Sequence, residues 1–318
     1  TSINAAIDAA SDGDVIQLSA EIYSEGEVID TDGKAITLLG VTESGGIPAS
    51  ILDGSGTHGV LRCYTREGVD TIFKNLVIRN GFWIDGGGME IQGSSPTLDN
   101  CKFMNNTSLN GGGLNCIYSS PTLTGCTFEG NQATDGGGVY HRGGSLTLTE
   151  CFFFENEAVM GGGLGIFSGD LTLTDCTFSQ NTAGIFGGGL FTQAIDGLAL
   201  TDCIFTNNSA SGYGGGVSIL GGSDDSGSLP EVIPTLNDCT FSYNSAENGA
   251  GIHIESSSSG YARITNLADC TFTGNSASAY GGGVSVIGGS DDSDSLPELI
   301  PTLNGCTFSD NSAENGGG

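Results

Sequence analysis

Two acidic segments carry side chains of the kind that could bind a metal ion. Asp224 and Asp225 stand in the first segment, and Asp291 and Asp292 stand in the second, where almost the same sequence recurs. Carboxylate oxygens beside Ser and Gly residues suit Ca²⁺. Neither segment has the residue spacing of a known calcium loop, so a solvated acidic loop is the simpler interpretation. Ca²⁺ is the one cofactor that the sequence suggests.

A second group with chemical potential lies earlier in the chain, at Asp53, His58, Arg62 and Arg66. A polysaccharide lyase needs a basic residue near metal-binding carboxylates, and a glycoside hydrolase needs two carboxylates on neighbouring elements. Any catalytic site is expected here, because this stretch departs from the regular pattern that follows. The alternative is that the basic residues between positions 62 and 102 only balance nearby acids.

The elements that position these residues are repeats of about 25 residues. Each repeat has a Cys, a Phe two residues on and an Asn five residues on, and a Gly triplet then follows in most of them. Eight repeats carry all three residues, and their cysteines are Cys101, Cys126, Cys151, Cys176, Cys203, Cys239, Cys270 and Cys306. A weaker repeat precedes them. A period of this length is typical of a solenoid.

Alternating apolar residues within each repeat predict short strands, and Gly, Asn and Asp predict the turns between them. One repeat cannot bury its own apolar face, so the repeats must stack. Stacking in register places equivalent side chains about 4.8 Å apart. We therefore expect interior ladders of Cys and Phe and a hydrogen-bonded Asn ladder, represented by Cys126, Cys151, Cys176, Phe128, Phe153, Phe178, Asn131, Asn156 and Asn181.

The repeat motifs F-x-x-N and G-G-[AG]-[ILV] resemble those of chlamydial polymorphic outer-membrane proteins, and of the wider pectin-lyase-like β-helix group. The resemblance covers about residues 70–318 and implies a right-handed coil. It implies no particular chemistry, because such repeats occur in adhesins, autotransporter passengers and carbohydrate-active enzymes. The predicted fold is all-β: a single-stranded right-handed parallel β-helix of about ten rungs with a short N-terminal capping helix.

The predicted organisation has three parts and two insertions. Residues 1–13 form the capping helix, residues 14–85 the irregular first rungs, and residues 86–318 the regular repeats. Loops are inserted at residues 221–234 and 288–301. No closing cap is visible at the end of the sequence, and an open solenoid end exposes strand edges. We therefore expect a fragment of a longer protein that self-associates through this end.

Alternation along the strand after each Gly triplet predicts which side chains face outward. These include an apolar stripe with one basic member, formed by Ile117, Tyr140, Arg142, Phe167, Phe191 and Leu220. Exposed apolar surface marks a partner or ligand site, and aromatic rings suit the stacking of a sugar. The alternative is that a loop folds over the stripe. Threonine pairs on another strand resemble ice-binding solenoids, but strand propensity explains them more simply.

Composition restricts the class of partner. The chain has 8 basic and 37 acidic residues and a formal net charge of −29, which argues against nucleic acids and anionic membrane surfaces. The ten cysteines fit small buried side chains better than a disulfide framework, since eight share one column. No membrane-spanning run appears.

Two functions remain open at this stage. The first is an extracellular or cell-surface structural and adhesive module that presents a long face to a glycan or a surface protein. The second is a carbohydrate-active enzyme, either a polysaccharide lyase or a glycoside hydrolase. The uniformity of the repeats favours the first, because a catalytic site would interrupt them locally.

Overall fold

A computed structural model describes residues 2–193, 195–221, 234–255, 266–288 and 302–318. Within these ranges the chain forms one short helix and three parallel sheets. The largest sheet has 19 strands, the second has 11 and the third has 5. This is the all-β parallel solenoid that the repeats predict.

The strands of each sheet follow one another along the solenoid. The first sheet contains Val15–Gln17, Ile29–Asp30, Thr37–Leu39, Leu61–Cys63, Ile72–Lys74, Met89–Gln92, Thr97–Asp99, Leu114–Ile117, Thr122–Thr124, Val139–Thr149, Leu164–Thr174, Leu190–Gln193, Ile195–Thr201, Val217–Leu220, Thr235–Asn237, Ile252–Glu255, Asn266–Ala268, Val284–Ile287 and Thr302–Asn304. The second contains Ile22–Tyr23, Ser50–Asp53, Leu76–Arg79, Lys102–Met104, Thr127–Glu129, Phe152–Phe154, Thr177–Ser179, Ile204–Thr206, Thr240–Ser242, Thr271–Thr273 and Thr307–Ser309. The third contains Glu157–Met160, Thr182–Phe186, Ser209–Ala210, Ser245–Asn248 and Ser276–Tyr280.

The helix at Ile3–Ala9 packs its buried residues Ile3 and Ile7 against the first rungs. Ser2 is its N-cap, because the Ser2 hydroxyl accepts a hydrogen bond from the Ala5 amide at 3.0 Å. The Lys34 ammonium donates to the carbonyls of Ile7 and Asp8 at the other end. The helix ends at Ala9, four residues before Gly13, the end that the sequence predicted.

The phenylalanines of successive repeats form one continuous stack inside the solenoid. Eight rings, from Phe103 to Phe308, have neighbouring centroids 4.4–5.1 Å apart and planes within 3–11° of parallel. An isolated pair of rings prefers an offset or edge-on arrangement. The strand register imposes parallel stacking here, since each Phe lies opposite the next across a parallel pairing.

The asparagines form a buried ladder of side-chain amides. Asn131 Nδ2 donates to Asn156 Oδ1 at 2.9 Å, and Asn156 Nδ2 donates to Asn181 Oδ1 at 2.9 Å. The same Nδ2 of Asn156 also donates to the Phe128 carbonyl, and its Oδ1 accepts from the Asn131 backbone amide. Each buried amide is thereby satisfied, which a polar group inside an apolar core requires.

All ten cysteines are free thiols, and nine of them are buried. Those in the repeats lie in one column, where Cys126 and Cys151 donate to backbone carbonyls of their own and the preceding rungs. Burial raises the pKa of the Cys126 thiol well above its usual value. The Cys126 thiol is therefore neutral, and the column as a whole fills a narrow corner of the core.

Ion pairs and one buried carboxylate occur in the N-terminal half of the solenoid. Four basic side chains pair with acids: Arg62 with Asp30, Lys74 with Asp99, Arg79 with Asp53 and Lys102 with Glu129. Glu67 is buried and accepts hydrogen bonds from Ser94, Thr31, Thr65 and the Gly33 amide. Burial acts to raise its pKa, but these donors outweigh that effect and lower the pKa to about 2. Sequence reasoning did not single out Glu67.

We expect the free energy of unfolding to fall in mild acid, because one histidine is buried in its neutral form. His141 is fully buried in the core, and burial lowers its pKa to about 4 against the opposing effects of Gly144 and Asp170. The unfolded chain binds this proton near pH 6.5, so stability falls as the pH drops from 6.5 towards 4. The expected loss through His141 is about 2 kcal/mol between pH 7 and pH 5.

The measurement is the free energy of unfolding in urea at pH 7 and pH 5, for the wild type and for His141→Leu. The variant should lose about 2 kcal/mol less than the wild type over this interval. The other histidines are present in both proteins, so their contribution cancels. Equal losses in the two proteins would show that His141 does not carry the pH dependence.

Candidate functional site

One column of side chains in the first sheet points away from the core, and from Glu90 onward it lies on the strand after each Gly triplet. The parallel register places these residues opposite one another from rung to rung. We call this the floor column, and it contains Asp30, Arg62, Glu90, Asn115, Tyr140, Gly165, Phe191, Ser218, His253 and Ser285. Its members face outward, yet most of those after Glu90 are buried.

A second column covers the floor column from one side. It is formed by the residue before each triplet, and successive members are joined by parallel bridges. We call it the rim column, and it contains Asp85, Asn110, Asp135, Met160, Phe186, Tyr213, Asn248, Tyr280 and Asn315. The two columns together form the groove. Most rim side chains are half-buried, so they remain accessible at the surface.

The first glycine of each triplet makes this arrangement possible. Gly136 has a φ of +63°, and a Cβ there would lie 2.2 Å from the Val139 carbonyl oxygen and 2.8 Å from Tyr140 Cα. The chain therefore turns sharply back beside its own following strand, which only glycine permits at this distance. The turn brings the rim residue Asp135 alongside the floor residue Tyr140.

The prediction of an exposed apolar stripe is wrong in part, because two of its aromatic residues are buried. Tyr140 and Phe191 belong to the floor column and are only 8% and 1% exposed, because Phe167 stacks on Tyr140 at 4.8 Å and Phe186 of the rim lies against Phe191. Ile117, Phe167 and Leu220 lie further along the strands and are half-buried, while Arg142 is exposed. The six residues therefore do not form one exposed apolar stripe.

The N-terminal end of the groove is polar and acidic. Glu90 lies in the floor column between Arg62 and Asn115, with Asp85 in the rim beside it. Burial and the Asp85 charge raise the pKa of Glu90, although the Tyr64 hydroxyl and Arg62 oppose this. Burial alone raises the pKa of Asp135. Carboxyl groups with raised pKa values in a cleft are candidates for ligand binding or proton transfer.

Unpartnered polar atoms are concentrated in the groove. In the part of the chain that the structure describes, seven residues have a buried side-chain nitrogen or oxygen without a hydrogen-bond partner. Four of the seven line the groove, namely Asn115, Asp135, Ser218 and His253. Asn115 is 1% exposed, and neither atom of its amide has a partner. Leaving such groups unpaired costs stability, so a ligand that pairs with them would explain their retention.

The C-terminal part of the groove is aromatic. Phe186 of the rim contacts Phe191 of the floor, with ring centroids 5.7 Å apart, and stacks on Tyr213 at 5.1 Å. Tyr213 in turn lies 4.8 Å from the ring of His253. Burial lowers the pKa of His253, against the nearby Glu255 carboxylate. This surface offers ring faces and edges at intervals of one rung.

Comparisons with known proteins agree with this architecture. A family model described as a right-handed β-helix region matches residues 58–228, more than half of the chain. The chain belongs to the right-handed β-helix family. A model of the Chlamydia polymorphic membrane protein repeat also matches this β-helix at residues 269–286. No curated protein matches the sequence significantly.

Two solved structures resemble the β-helix at low identity. The A-module of mannuronan C-5 epimerase AlgE6 from Azotobacter vinelandii is 13% identical, and the match covers 96% of this chain and 94% of that chain with a TM-score of 0.34. The receptor-binding domain of the siphovirus 9NA tailspike is 11% identical, and the match covers 97% of this chain and 74% of that chain with a TM-score of 0.26. Both are similarities of fold alone.

The remaining predicted site residues of the β-helix do not come together. Asp53 is held by Arg79 in the second sheet, and Arg62 alone of the early group reaches the groove. Asp224, Asp225, Asp291 and Asp292 lie outside the described residues. Within the described residues, no three His, Cys, Asp or Glu side chains gather closely enough to hold a metal ion.

Sequence reasoning missed the rim column of the β-helix. Each of its acidic members, Asp85 and Asp135, precedes a Gly triplet, where the sequence pattern alone indicates only a turn. The recurrence of this position before nine Gly triplets was a usable signal, since its residues include Met, Phe and Tyr as well as Asp and Asn. The described part of the chain contains no helix with the length and hydrophobicity that a bilayer span requires.

Proposed function

We propose that this β-helix is an extracellular or cell-surface adhesive module whose groove binds an extended glycan. The observation that carries the proposal is Asn115, a buried amide in the groove floor with no partner for either polar atom. A sugar hydroxyl both donates and accepts, so adjacent hydroxyls could satisfy the two atoms together. The match to a Chlamydia polymorphic membrane protein repeat supports a surface location.

The shape and composition of the groove also support an extended ligand. Its two columns continue through successive rungs at a repeat of about 4.8 Å, so a polymer could contact several rungs at once. Phe186, Tyr213 and Tyr280 stand at the rim with faces or edges available for sugar rings. The strongly negative net charge argues for an uncharged partner over an acidic one.

The test is Asn115→Leu, which keeps the number of side-chain heavy atoms and removes both polar amide atoms. Binding to a panel of immobilised polysaccharides should weaken at least about tenfold, since the ligand loses two hydrogen-bond partners. Stability towards urea should stay the same or rise, because an unpaired polar group leaves the protein interior. Thr124→Ala, on an exposed strand position outside the groove, is the matched control.

Unchanged glycan binding by Asn115→Leu would contradict the proposal. Binding to a surface protein in the absence of any glycan binding would replace it with the protein-adhesive alternative. A second candidate function is cleavage of a polysaccharide by a hydrolase or a lyase. The raised pKa values of Glu90 and Asp135 favour it, because such carboxyl groups can act in proton transfer. Release of reducing ends or unsaturated uronate from the same polysaccharides would support that candidate.

A further inference from the structure

A row of exposed apolar side chains crosses five rungs of the solenoid beside the rim column. Its four aliphatic members each stand directly before a rim residue, and two aromatic residues extend the row at its N-terminal end. We call this row the apolar band, and it consists of Phe82, Trp83, Ile84, Leu109, Val159 and Ile185. Its members are 39–63% exposed. Continuous apolar surface of this kind marks an interaction site, whereas single exposed apolar residues are ordinary.

Backbone hydrogen bonds hold the band in file. The Leu109 amide donates to the Ile84 carbonyl at 3.0 Å, and the Thr134 amide, on the next rung, donates to the Leu109 carbonyl at 2.9 Å. The Val159 amide donates to the Thr134 carbonyl at 2.8 Å, and Ile185 follows across a strand pairing of the third sheet. The band therefore extends over four rung intervals, about 19 Å along the axis.

The C-terminal half of the band borders an open trough with a volume of about 560 Å³. Glu157 and Val159 point outward there on either side of the buried Ala158. Ala183 and Gly184 continue this small-residue surface on the next rung. A trough of this volume, with an aliphatic side and an acidic side, can receive several side chains of a partner.

The surroundings of the band are acidic. Asp85 and Asp135 flank it in the rim column, and Glu157 lies in the trough. None of these three carboxylates takes part in an ion pair among the described residues. Beyond Lys102, Arg142 is the one Lys or Arg in the described ranges, and it lies in the first sheet. Electrostatic complementarity therefore favours a partner with basic residues around its apolar ones.

The same charge argues against a second copy of this chain as the partner. Each copy has a formal net charge of −29, so two acidic surfaces would meet and repel each other. A basic partner protein gains long-range attraction at the same surface, which raises its rate of association.

The spacing of the band favours a helical partner segment over an extended one. Successive rungs present an aliphatic side chain about every 4.8 Å. One face of an α-helix returns after each turn of about 5.4 Å, whereas one face of an extended strand returns after about 6.7 Å. A helix that lies along the solenoid axis therefore follows the rungs more closely, and about 13 helical residues cover the length of the band.

We infer that the apolar band and its trough bind a basic amphipathic helix of a partner protein. The apolar face of the helix packs on Leu109, Val159 and Ile185, and its Lys or Arg residues lie near Asp85, Asp135 and Glu157. The band contains no floor or rim residue, so this inference does not depend on glycan binding in the groove.

The experiment measures the affinity of the wild-type chain for three labelled peptides of equal length. The first places Leu on one helical face and Lys on the other, the second is a scrambled peptide of the same composition, and the third replaces every Lys by Glu. The first peptide should bind at least about tenfold more tightly than either of the others. The scrambled peptide has the same charge, so it measures attraction by net charge alone.

Two matched pairs of variants locate the binding surface. Ile185 in the band and Ile204 in the second sheet are both 43% exposed. Ile185→Ser should weaken binding of the first peptide about tenfold, while Ile204→Ser should leave it unchanged. Glu157→Gln should weaken binding about threefold, and Glu150→Gln, the same change of charge at an exposed turn outside the third sheet, should have a smaller effect. All four sites are exposed, so unfolding in urea should match the wild type.

Each contrary outcome overturns the inference in a recognisable way. Equal binding of the first and scrambled peptides would reduce the interaction to attraction by net charge. Equal losses in Ile185→Ser and Ile204→Ser would place the binding surface elsewhere. Sedimentation that shows a dimer of the chain alone, dissociated by Ile185→Ser, would assign the band to a second copy.

Discussion

Replacing Asn156 by Leu should destabilise the β-helix by about 4 kcal/mol. The Asn156 side chain makes four hydrogen bonds, two with Asn131, one with Asn181 and one with the Phe128 carbonyl, and it is 1% exposed. Leucine fills the space but removes all four bonds. The partners are left buried with unmet hydrogen-bonding capacity, and each such group costs about 1–3 kcal/mol.

The free energy of unfolding in urea measures this effect. Gln132→Leu is the control, because Gln132 is adjacent to the ladder in sequence but exposed, and it should change stability by less than about 0.5 kcal/mol. If Asn156→Leu cost no more than Gln132→Leu, the amide ladder would not be a main source of stability in this solenoid.

Replacing Gly136 by Ala should cost at least about 3 kcal/mol. Two effects combine at this position: a φ of +63°, which an L side chain adopts with strain, and a Cβ that would lie 2.2 Å from the Val139 carbonyl oxygen. The oxygen belongs to the backbone of the strand that follows, so relief requires movement of the strand itself. That movement would displace Tyr140 in the groove floor and Asp135 in the rim.

Gly125→Ala separates the two effects. Gly125 has nearly the same φ, +60°, but nothing lies within 4 Å of the added Cβ. It should therefore cost only about 1 kcal/mol, the strain of the backbone conformation alone. Thermal or urea unfolding of the two variants gives the difference. If the two variants lost the same free energy of unfolding, the backbone near Gly136 would be able to move away from the added Cβ at no further cost. The turn at the triplet would then tolerate a side chain.

Different columns of the repeats serve stability and ligand binding. The Phe, Asn and Cys columns are nearly invariant from rung to rung, and their side chains satisfy one another within the solenoid. The floor and rim columns vary along the same strands and turns, and they contain most of the unpaired buried polar atoms found in the described residues. A constant interior thus supports an outer surface whose chemistry changes from acidic to aromatic along the groove.

The sequence by itself determined the fold and its interior. A period of about 25 residues fixes which side chains lie opposite one another, so the strand registers of the Phe and Asn columns followed from spacing alone. It also separated inward from outward residues after each triplet, because side chains alternate along a strand. By the same alternation His141 points inward, and it is fully buried in the structure.

The tertiary structure decided which outward residues form the groove. Spacing says that Tyr140 and Phe191 leave the core, but not that the preceding turn brings Asp135 and Phe186 alongside them. That contact depends on the turn angle at the first glycine of the triplet, and a one-dimensional pattern does not contain this angle. Alternation along a strand determines the direction of a side chain, whereas burial depends on what other parts of the chain lie over it.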